Sequence, residues 1–471
     1  MLQWFLMDFE KNHESFLFPE FPISIRNLFS QTFRFQPLRQ LGAGYYRMSS
    51  IKIARILQGS VPSSKVYLLG EDIEQSIPGV FDQDFLLVKE KEVREKEIWD
   101  LRTDYFELKR KFPLIGEVLF TRLQDFREFQ MAGSAAFVGF SELKKFSENR
   151  WKIKKAKENL SQSPLSQLAL SLYYFEKAQK YLIKSFLGNS SFYRARFIKE
   201  VGRTLFACSG ERLDSLQSQS PSVLMAHAFY QIQQLANLAN QDKPKNKIDF
   251  KINFPEKNGA RFSSEMLNRS WIHKLKKTDP IFSVLRGSSA PLILIPSADI
   301  NLVTAVNLFS GFVNLLPALL QDSKDIPLLI PAAAFEMMSL GWHWGKPFSH
   351  LSWICPAQLN DSKWRAACAR ASFQRLKERA LLERNLILGK MISQSPETVS
   401  KALKTLSRIL LVLEARENLA DSILIEKCQS KLPKTSEVFK MLTTSKNILS
   451  LQTLIRAALT VLNEVPSLAT E

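Results

Sequence analysis

The tetrapeptide Ser-Gln-Ser-Pro occurs three times in this chain, at 161–164, 218–221 and 393–396. After each copy, apolar residues recur every three or four positions, which is the spacing of one face of an α-helix. The serine before each proline can accept an amide hydrogen bond at a helix N-terminus. Proline fits the first helical position, because the N–H that it lacks has no intrahelical partner there. These patterns predict three helices, capped by Ser163, Ser220 and Ser395.

Helical spacing dominates the middle and the last quarter of the sequence, whereas short apolar runs between prolines are typical of strands. The chain has 471 residues, of which 45% are hydrophobic, enough to fill the cores of two or three domains. We expect a mixed α/β and predominantly α-helical fold. Its four units are an N-terminal mixed α/β domain with a Phe-rich arm (1–142), a basic helical middle domain (143–242), a small parallel α/β domain (262–360) and a C-terminal helical region (361–471).

Two similar segments lead to the prediction of the small parallel unit. Residues 291–298 and 327–333 each consist of a short apolar run that is ended by proline and followed by small residues. Such runs are typical of buried parallel strands that lead into a helix. A third apolar run, at 351–356, is expected to complete the parallel sheet.

The stretch 302–320, which lies between those segments, contains no charged residue. Its length and hydropathy are those considered for a transmembrane helix. Polar residues recur at steps of three or four from Asn301 to Asn314, along one side of the helix, and lipid would leave them unsatisfied. We favour a buried crossover helix. The alternative is a membrane-associated or assembly protein that is anchored here.

Positive charge is concentrated in the middle third of the sequence. Residues 143–286 contain 26 Lys and Arg against 11 Asp and Glu, and the whole chain has a formal net charge of +18. A segment this cationic either stays solvated or meets an anionic partner, usually nucleic acid or an acidic membrane surface.

Two consecutive predicted helices carry cations at steps of three and four residues, and lysines crowd into the segment before them. Tyrosine and tryptophan residues are interleaved with these cations. Lysine and arginine can contact phosphates, while aromatic rings can stack on exposed bases. The predicted nucleic-acid-binding residues are Lys144, Lys145, Lys152, Lys154, Lys155, Lys177, Lys180, Lys184, Arg196, Lys199 and Arg203.

The leading hypothesis is a non-enzymatic protein that binds DNA or RNA through phosphates, without sequence-specific readout. The competing interpretation is a set of solvated helix faces that have no partner. The sequence contains no Gly-rich phosphate loop, no Gly-x-Ser-x-Gly and no Cys-x-x-Cys, so it predicts neither a cofactor nor a metal site. Whether the protein is an enzyme stays open. Four separated cysteines and the lack of a recognisable signal peptide favour the cytoplasm.

An enzyme hypothesis depends on a turn rich in tryptophan and histidine, just beyond the second predicted strand of the parallel unit. Ligands of α/β domains bind beyond the carboxyl ends of parallel strands, which is where this turn is expected. A packed turn without a ligand is the alternative. The candidate pocket residues are Glu336, Trp342, His343, Trp344, Lys346 and His350.

The first 46 residues are rich in phenylalanine and are interrupted by prolines at positions 19, 22 and 37. Prolines this close together prevent one long helix. We expect an arm that packs its phenylalanine side chains against its own domain, and the alternative is an arm that docks onto a protein partner.

Overall fold

The computed structural model describes residues 35–69, 83–90, 92–112, 115–131, 140–147, 150–155, 164–188, 191–209, 219–241, 251, 282–287, 293–296, 299–322, 328–331, 333–334, 351–353, 362–417, 419–445, 447–466 and 468. Within these ranges the fold is mixed α/β and predominantly helical, which confirms the predicted fold class. The helices are α1 (Gln36–Ser60), α2 (Glu95–Lys111), α3 (Leu123–Met131), α4 (Pro164–Gly188), α5 (Ser191–Ser209), α6 (Pro221–Gln241), α7 (Leu302–Asp322), α8 (Ser362–Ser393), α9 (Pro396–Ala415), α10 (Asp421–Cys428), α11 (Pro433–Thr444) and α12 (Leu451–Glu464).

A five-stranded sheet forms the N-terminal part of the fold. Its strands, in spatial order, are β3 (Ile115–Arg122), β2 (Gln83–Lys89), β1 (Ser64–Leu69), β4 (Phe140–Ser147) and β5 (Arg150–Lys155). β2 and β3 are parallel, and the other neighbours are antiparallel. The unbroken apolar run 85–88 makes β2 a strand that is buried on both faces.

Helices cover both faces of this sheet. Apolar residues of α1 and α2 join Phe85 and Leu87 in one core cluster, whereas Phe126 of α3 joins Leu86 and Val88 in another. The last part of the predicted Phe-rich arm belongs to α1, because its proline at position 37 stands in the first helical turn, where proline is tolerated.

α8 packs against β3, which is an edge strand of this sheet. Gly389 permits the close approach, because a Cβ at this position would lie 2.6 Å from the Cα of Leu119. Beside it, the Oγ1 of Thr121 donates a hydrogen bond of 2.9 Å to the Oδ1 of Asn385. A helix in this place prevents the edge of β3 from pairing with another chain.

The basic segment 144–155 lies in the hairpin of β4 and β5. Sequence analysis placed this segment in a helical domain that begins at 143, a position inside β4. Leu143, Trp151 and Ile153 alternate with lysines, and this period of two is the pattern of a strand, not of a helix. The first part of the predicted helical middle domain is therefore a β-hairpin. The division of the chain into four domains stays a prediction.

α4, α5 and α6 pack side by side, and α6 also packs against α7. The rings of Phe175, Phe229 and Phe309, from α4, α6 and α7, meet in their shared core with centroids 5.6–6.4 Å apart. These aromatic contacts join the basic middle segment to the second sheet.

The predicted helix caps are confirmed at the two described positions. The Oγ of Ser395 accepts a hydrogen bond of 3.3 Å from the N–H of Thr398, and the Oγ of Ser220 accepts one of 3.4 Å from the N–H of Val223. Ser163 lies outside the described residues, although α4 begins at the proline that follows it.

The second sheet has four strands among the described residues. They are, in spatial order, β8 (Leu328–Leu329), β7 (Ile293–Pro296), β6 (Phe282–Gly287) and β9 (Leu351–Trp353). β7 and β8 are parallel, as predicted for the two similar segments. β9 instead pairs antiparallel with β6, a strand that sequence analysis did not predict. The expected parallel sheet is therefore mixed, since β6 supplies an antiparallel neighbour for both β7 and β9.

α7 connects the parallel strands β7 and β8, so the crossover interpretation of this uncharged stretch is confirmed. Phe309 and Phe312 are buried, whereas Asn307 and Asn314 of the polar stripe are exposed. None of the helices in the described ranges has the length and hydropathy that a membrane crossing requires.

Candidate nucleic-acid interface

α4 and α5 form an antiparallel pair that brings six of the predicted nucleic-acid-binding residues together. The guanidinium carbon of Arg203, late in α5, lies 5.3 Å from the ring centroid of Tyr174, early in α4. At the other end, the Nζ of Lys184 lies 5.6 Å from the ring centroid of Tyr193. The six cations, here called the α4–α5 cationic face, are Lys177, Lys180, Lys184, Arg196, Lys199 and Arg203.

Aromatic rings lie under several of these cations. The Nζ of Lys177 is 4.3 Å from the ring centroid of Tyr173, and the guanidinium carbon of Arg196 is 5.4 Å from that of Phe192. Cations over ring faces are attracted by the negative charge density of the ring. These rings therefore hold the cations in place, whereas sequence analysis expected aromatic side chains to stack on bases.

Two carboxylates partly neutralise the cationic face. The Oε1 of Glu176 lies 2.5 Å from the Nζ of Lys180, in a half-exposed pair. Glu200 is only 2% exposed, and its Oε1 lies 3.6 Å from the Nη1 of Arg203. The Oε2 of Glu200 has no hydrogen-bond partner in the described part of the chain.

Lys199 lies in the most crowded part of this face. Burial lowers the pKa of Lys199 well below the usual value for lysine, and the guanidinium groups of Arg203 and Arg196 lower it further. The carboxylates of Glu200 and Asp84 act in the opposite direction without restoring it. Burial and the two neighbouring guanidinium groups together disfavour the charged form of Lys199.

The pKa of Lys177 shifts in the opposite direction to that of Lys199. Burial lowers its pKa, but Tyr173 and Glu200 outweigh burial, so the pKa of Lys177 is raised overall. Burial raises the pKa of Tyr174 to about 12, although Arg203 opposes the change. At neutral pH the lysine is therefore charged and the tyrosine is neutral.

One carboxylate that acts on the cationic face, that of Asp84, was not predicted from the sequence. Asp84 lies at the start of β2, and its charge acts on Lys199. A bulge in the pairing of β2 with β3 places Glu117 beside it, and the N–H of Glu117 donates a hydrogen bond of 2.8 Å to the Oδ1 of Asp84. The sequence contained a signal, since acidic residues at 82 and 84 directly precede a buried strand. Asp82 lies outside the described residues.

Asp84 is the carboxylate whose charge acts on Lys199, so it is the group here that could contact a divalent cation. Mg²⁺ is usually bound through one or two carboxylates together with phosphate oxygens of its ligand. The described residues include no group of three or more His, Cys, Asp or Glu side chains that could hold a metal ion. A cation at this place would therefore depend on a ligand for most of its coordination.

The remaining predicted cations lie on the β4–β5 hairpin. The pairing of β1 with β2, β4 and β5 places positions 144, 152 and 154 on the sheet face that contains Tyr67 and Asp84. Positions 145 and 155 fall on the opposite face. Three of these five lysines therefore share a sheet face with Asp84, and two do not.

The six candidate pocket residues between Glu336 and His350 lie outside the described residues. A pocket around His343 stays a prediction.

The chain matches no family model, and no curated protein or solved structure shows significant similarity to it.

Proposed function

We propose that the protein binds nucleic acid through its phosphate groups, at the α4–α5 cationic face. The observation that supports this most directly is that Arg196, Lys199 and Arg203 share one side of α5, where burial and the two guanidinium groups lower the pKa of Lys199. Like charges held this close raise the free energy of the unbound protein. A phosphate group placed among them would remove that cost.

The aromatic rings support the same conclusion. Because Lys177 and Arg196 already lie over ring faces, they lose less side-chain freedom when they bind a ligand. Contacts with phosphate groups carry no sequence information. DNA and RNA are therefore expected to bind without sequence preference.

A direct test measures the affinity of the full-length protein for labelled single-stranded DNA, double-stranded DNA and RNA by fluorescence anisotropy at several salt concentrations. Each phosphate contact adds about −0.7 to −0.9 to the slope of log K against log salt concentration. The double variant Arg196→Gln and Lys199→Gln should bind more weakly and show a shallower slope.

The matched control removes two exposed cations from α11, with Lys434→Gln and Lys440→Gln. It loses the same formal charge without touching the cationic face, so the affinity should stay close to that of the wild type. Lack of binding at low salt, or equal losses in the two double variants, would contradict the proposal.

A further inference from the structure

Most cations of the α4–α5 cationic face are not fully open to solvent. Lys184 is exposed, whereas the other five cations are half-buried. The side chain of Arg203, for example, is 21% exposed. Lysine and arginine on a free helix surface are mostly exposed. The five half-buried cations are therefore partly covered by neighbouring elements of the fold.

Two further elements border this face. Asp84, at the start of β2, acts electrostatically on a lysine of α5. Arg379 of α8 has a side chain that is 13% exposed, and burial lowers its pKa. The groups that oppose this shift are Glu383 of α8 itself and, from α4, Tyr173 and Glu176. The cationic face thus borders both the first sheet and α8, which accounts for its partial burial.

A pair of aromatic rings lies at the end of the face where the exposed lysine stands. The ring centroids of Tyr181 and Tyr193 are 6.2 Å apart, and the planes of the two rings differ by 25°. Both tyrosines are half-buried, and Tyr193 also lies next to Lys184. A flat aromatic pair beside a cation can take a base on its rings and the adjoining phosphate on the cation.

The form of a nucleic acid decides whether it can reach such groups. Duplex DNA is a stiff rod with a persistence length of about 150 base pairs. Its bases are paired and stacked on one another, so they are not available to aromatic side chains. A single strand bends easily, and its unpaired bases can stack on aromatic rings while cations contact its backbone. Half-buried cations next to a ring pair therefore favour a single strand.

We infer that the α4–α5 cationic face takes single-stranded nucleic acid and does not take a duplex. The half-buried cations contact phosphates of the strand, and the rings of Tyr181 and Tyr193 accept a base. This inference rests on the proposed function and narrows its class of ligand.

The test compares one labelled oligodeoxynucleotide, either single-stranded or annealed to its complement, in anisotropy titrations of the full-length protein at one low salt concentration. The readout is the affinity that the double variant Arg196→Gln and Lys199→Gln loses for each ligand. For the single strand we expect a loss of about tenfold or more, because phosphate contacts are removed. The affinity for the duplex should stay close to that of the wild type.

A second variant tests the ring pair without changing any charge. Tyr181→Leu should bind the single strand about tenfold more weakly, since stacking on the ring is lost. Its affinity for the duplex should not change. The matched control is Tyr181→Phe, which keeps the ring and should bind the single strand nearly as tightly as the wild type.

The control for charge is the double variant Lys434→Gln and Lys440→Gln, which should keep the affinity of the wild type for both ligands. If Arg196→Gln with Lys199→Gln loses as much affinity for the duplex as for the single strand, the inference is overturned and the proposed function stands. If it loses affinity for neither ligand, the proposed function fails as well. An unchanged affinity of Tyr181→Leu for the single strand would overturn the role of the ring pair.

Discussion

Arg384 donates a hydrogen bond from its Nη2 to the Oδ1 of Asp125, and both side chains are almost completely buried. Arg122 binds the same carboxylate through its Nε and Nη2, at 2.6 and 3.0 Å. The two arginines also donate to the backbone carbonyls of Pro466 and Leu462. Asp125 of α3 therefore joins α8 to the C-terminal end of α12.

Loss of this carboxylate should destabilise the protein strongly. Asp125→Ala leaves the buried guanidinium of Arg384 without its counter-charge, and removing one partner of a buried pair costs about 3–5 kcal/mol. Unfolding in urea measures the change. Lys427→Ala removes one partner of a more exposed pair with Glu417, and about 0–1 kcal/mol is expected there. Similar losses in both variants would contradict the structural role of Asp125.

The close contact of α8 with β3 leads to a second prediction. In Gly389→Ala, the new methyl group would lie 2.6 Å from the Cα of Leu119 and 2.9 Å from the carbonyl oxygen of Val118. Backbone atoms cannot rotate away, so α8 must shift, and we expect a loss of about 1–3 kcal/mol in the free energy of unfolding.

The control for this prediction is Gly59→Ala in the last turn of α1, where nothing lies within 4 Å of the new Cβ. Alanine is favoured over glycine in a helix by about 0.5–1 kcal/mol, so this variant should be as stable as the wild type or more stable. Calorimetry of the thermal unfolding of both variants measures their stability relative to the wild type. A stable Gly389→Ala protein would show that α8 does not approach β3 this closely.

The parts of the fold that could be predicted from the sequence are those that depend on residues within one helical turn of each other. The cap at Ser395 depends on residues within three positions of it, and the structure confirms this cap. The direction of β9 depends on its partner β6, which is more than 60 positions away in the chain. No local pattern reveals such a partner, which is why a parallel strand was predicted wrongly.

In the candidate site, too, the local spacing of residues could be predicted, whereas contacts made only by the tertiary fold could not. The spacing of Arg196, Lys199 and Arg203, by three and four residues, predicts that they lie on one side of a helix. The influence of Asp84 on Lys199 could not be predicted in this way, because β2 and α5 are brought together only by the tertiary fold. The strands at 144–155 were not predicted, since net charge does not distinguish a strand from a helix.

The lowered pKa of Lys199 leads to a prediction of how the free energy of unfolding depends on pH. Between its pKa in the folded protein and the unfolded value of about 10.4, the unfolded chain binds more protons than the folded protein. The free energy of unfolding therefore rises with pH in that interval. Lys199→Met removes this contribution, so the variant should be more stable than the wild type at neutral pH.

Urea unfolding of the wild type and of Lys199→Met at a series of pH values tests the sign of this pH dependence. The advantage of the variant should shrink as the pH rises towards about 10. An advantage that stays constant, or grows, would contradict a lowered pKa of Lys199 in the folded protein.

Nucleic-acid affinity should depend on pH through the same side chain. A bound phosphate favours the charged form of Lys199, so the free protein must take up a proton wherever its lysine is neutral. Affinity of the wild type should therefore fall as the pH rises through the pKa of Lys199 in the free protein. Lys199→Arg keeps its charge, because the pKa of arginine lies above about 12, and its affinity should change less with pH.

Anisotropy titrations of both proteins with one labelled oligonucleotide, at constant salt concentration, measure the difference. If both proteins lose affinity in parallel, the proton is taken up elsewhere and Lys199 does not contact the phosphate.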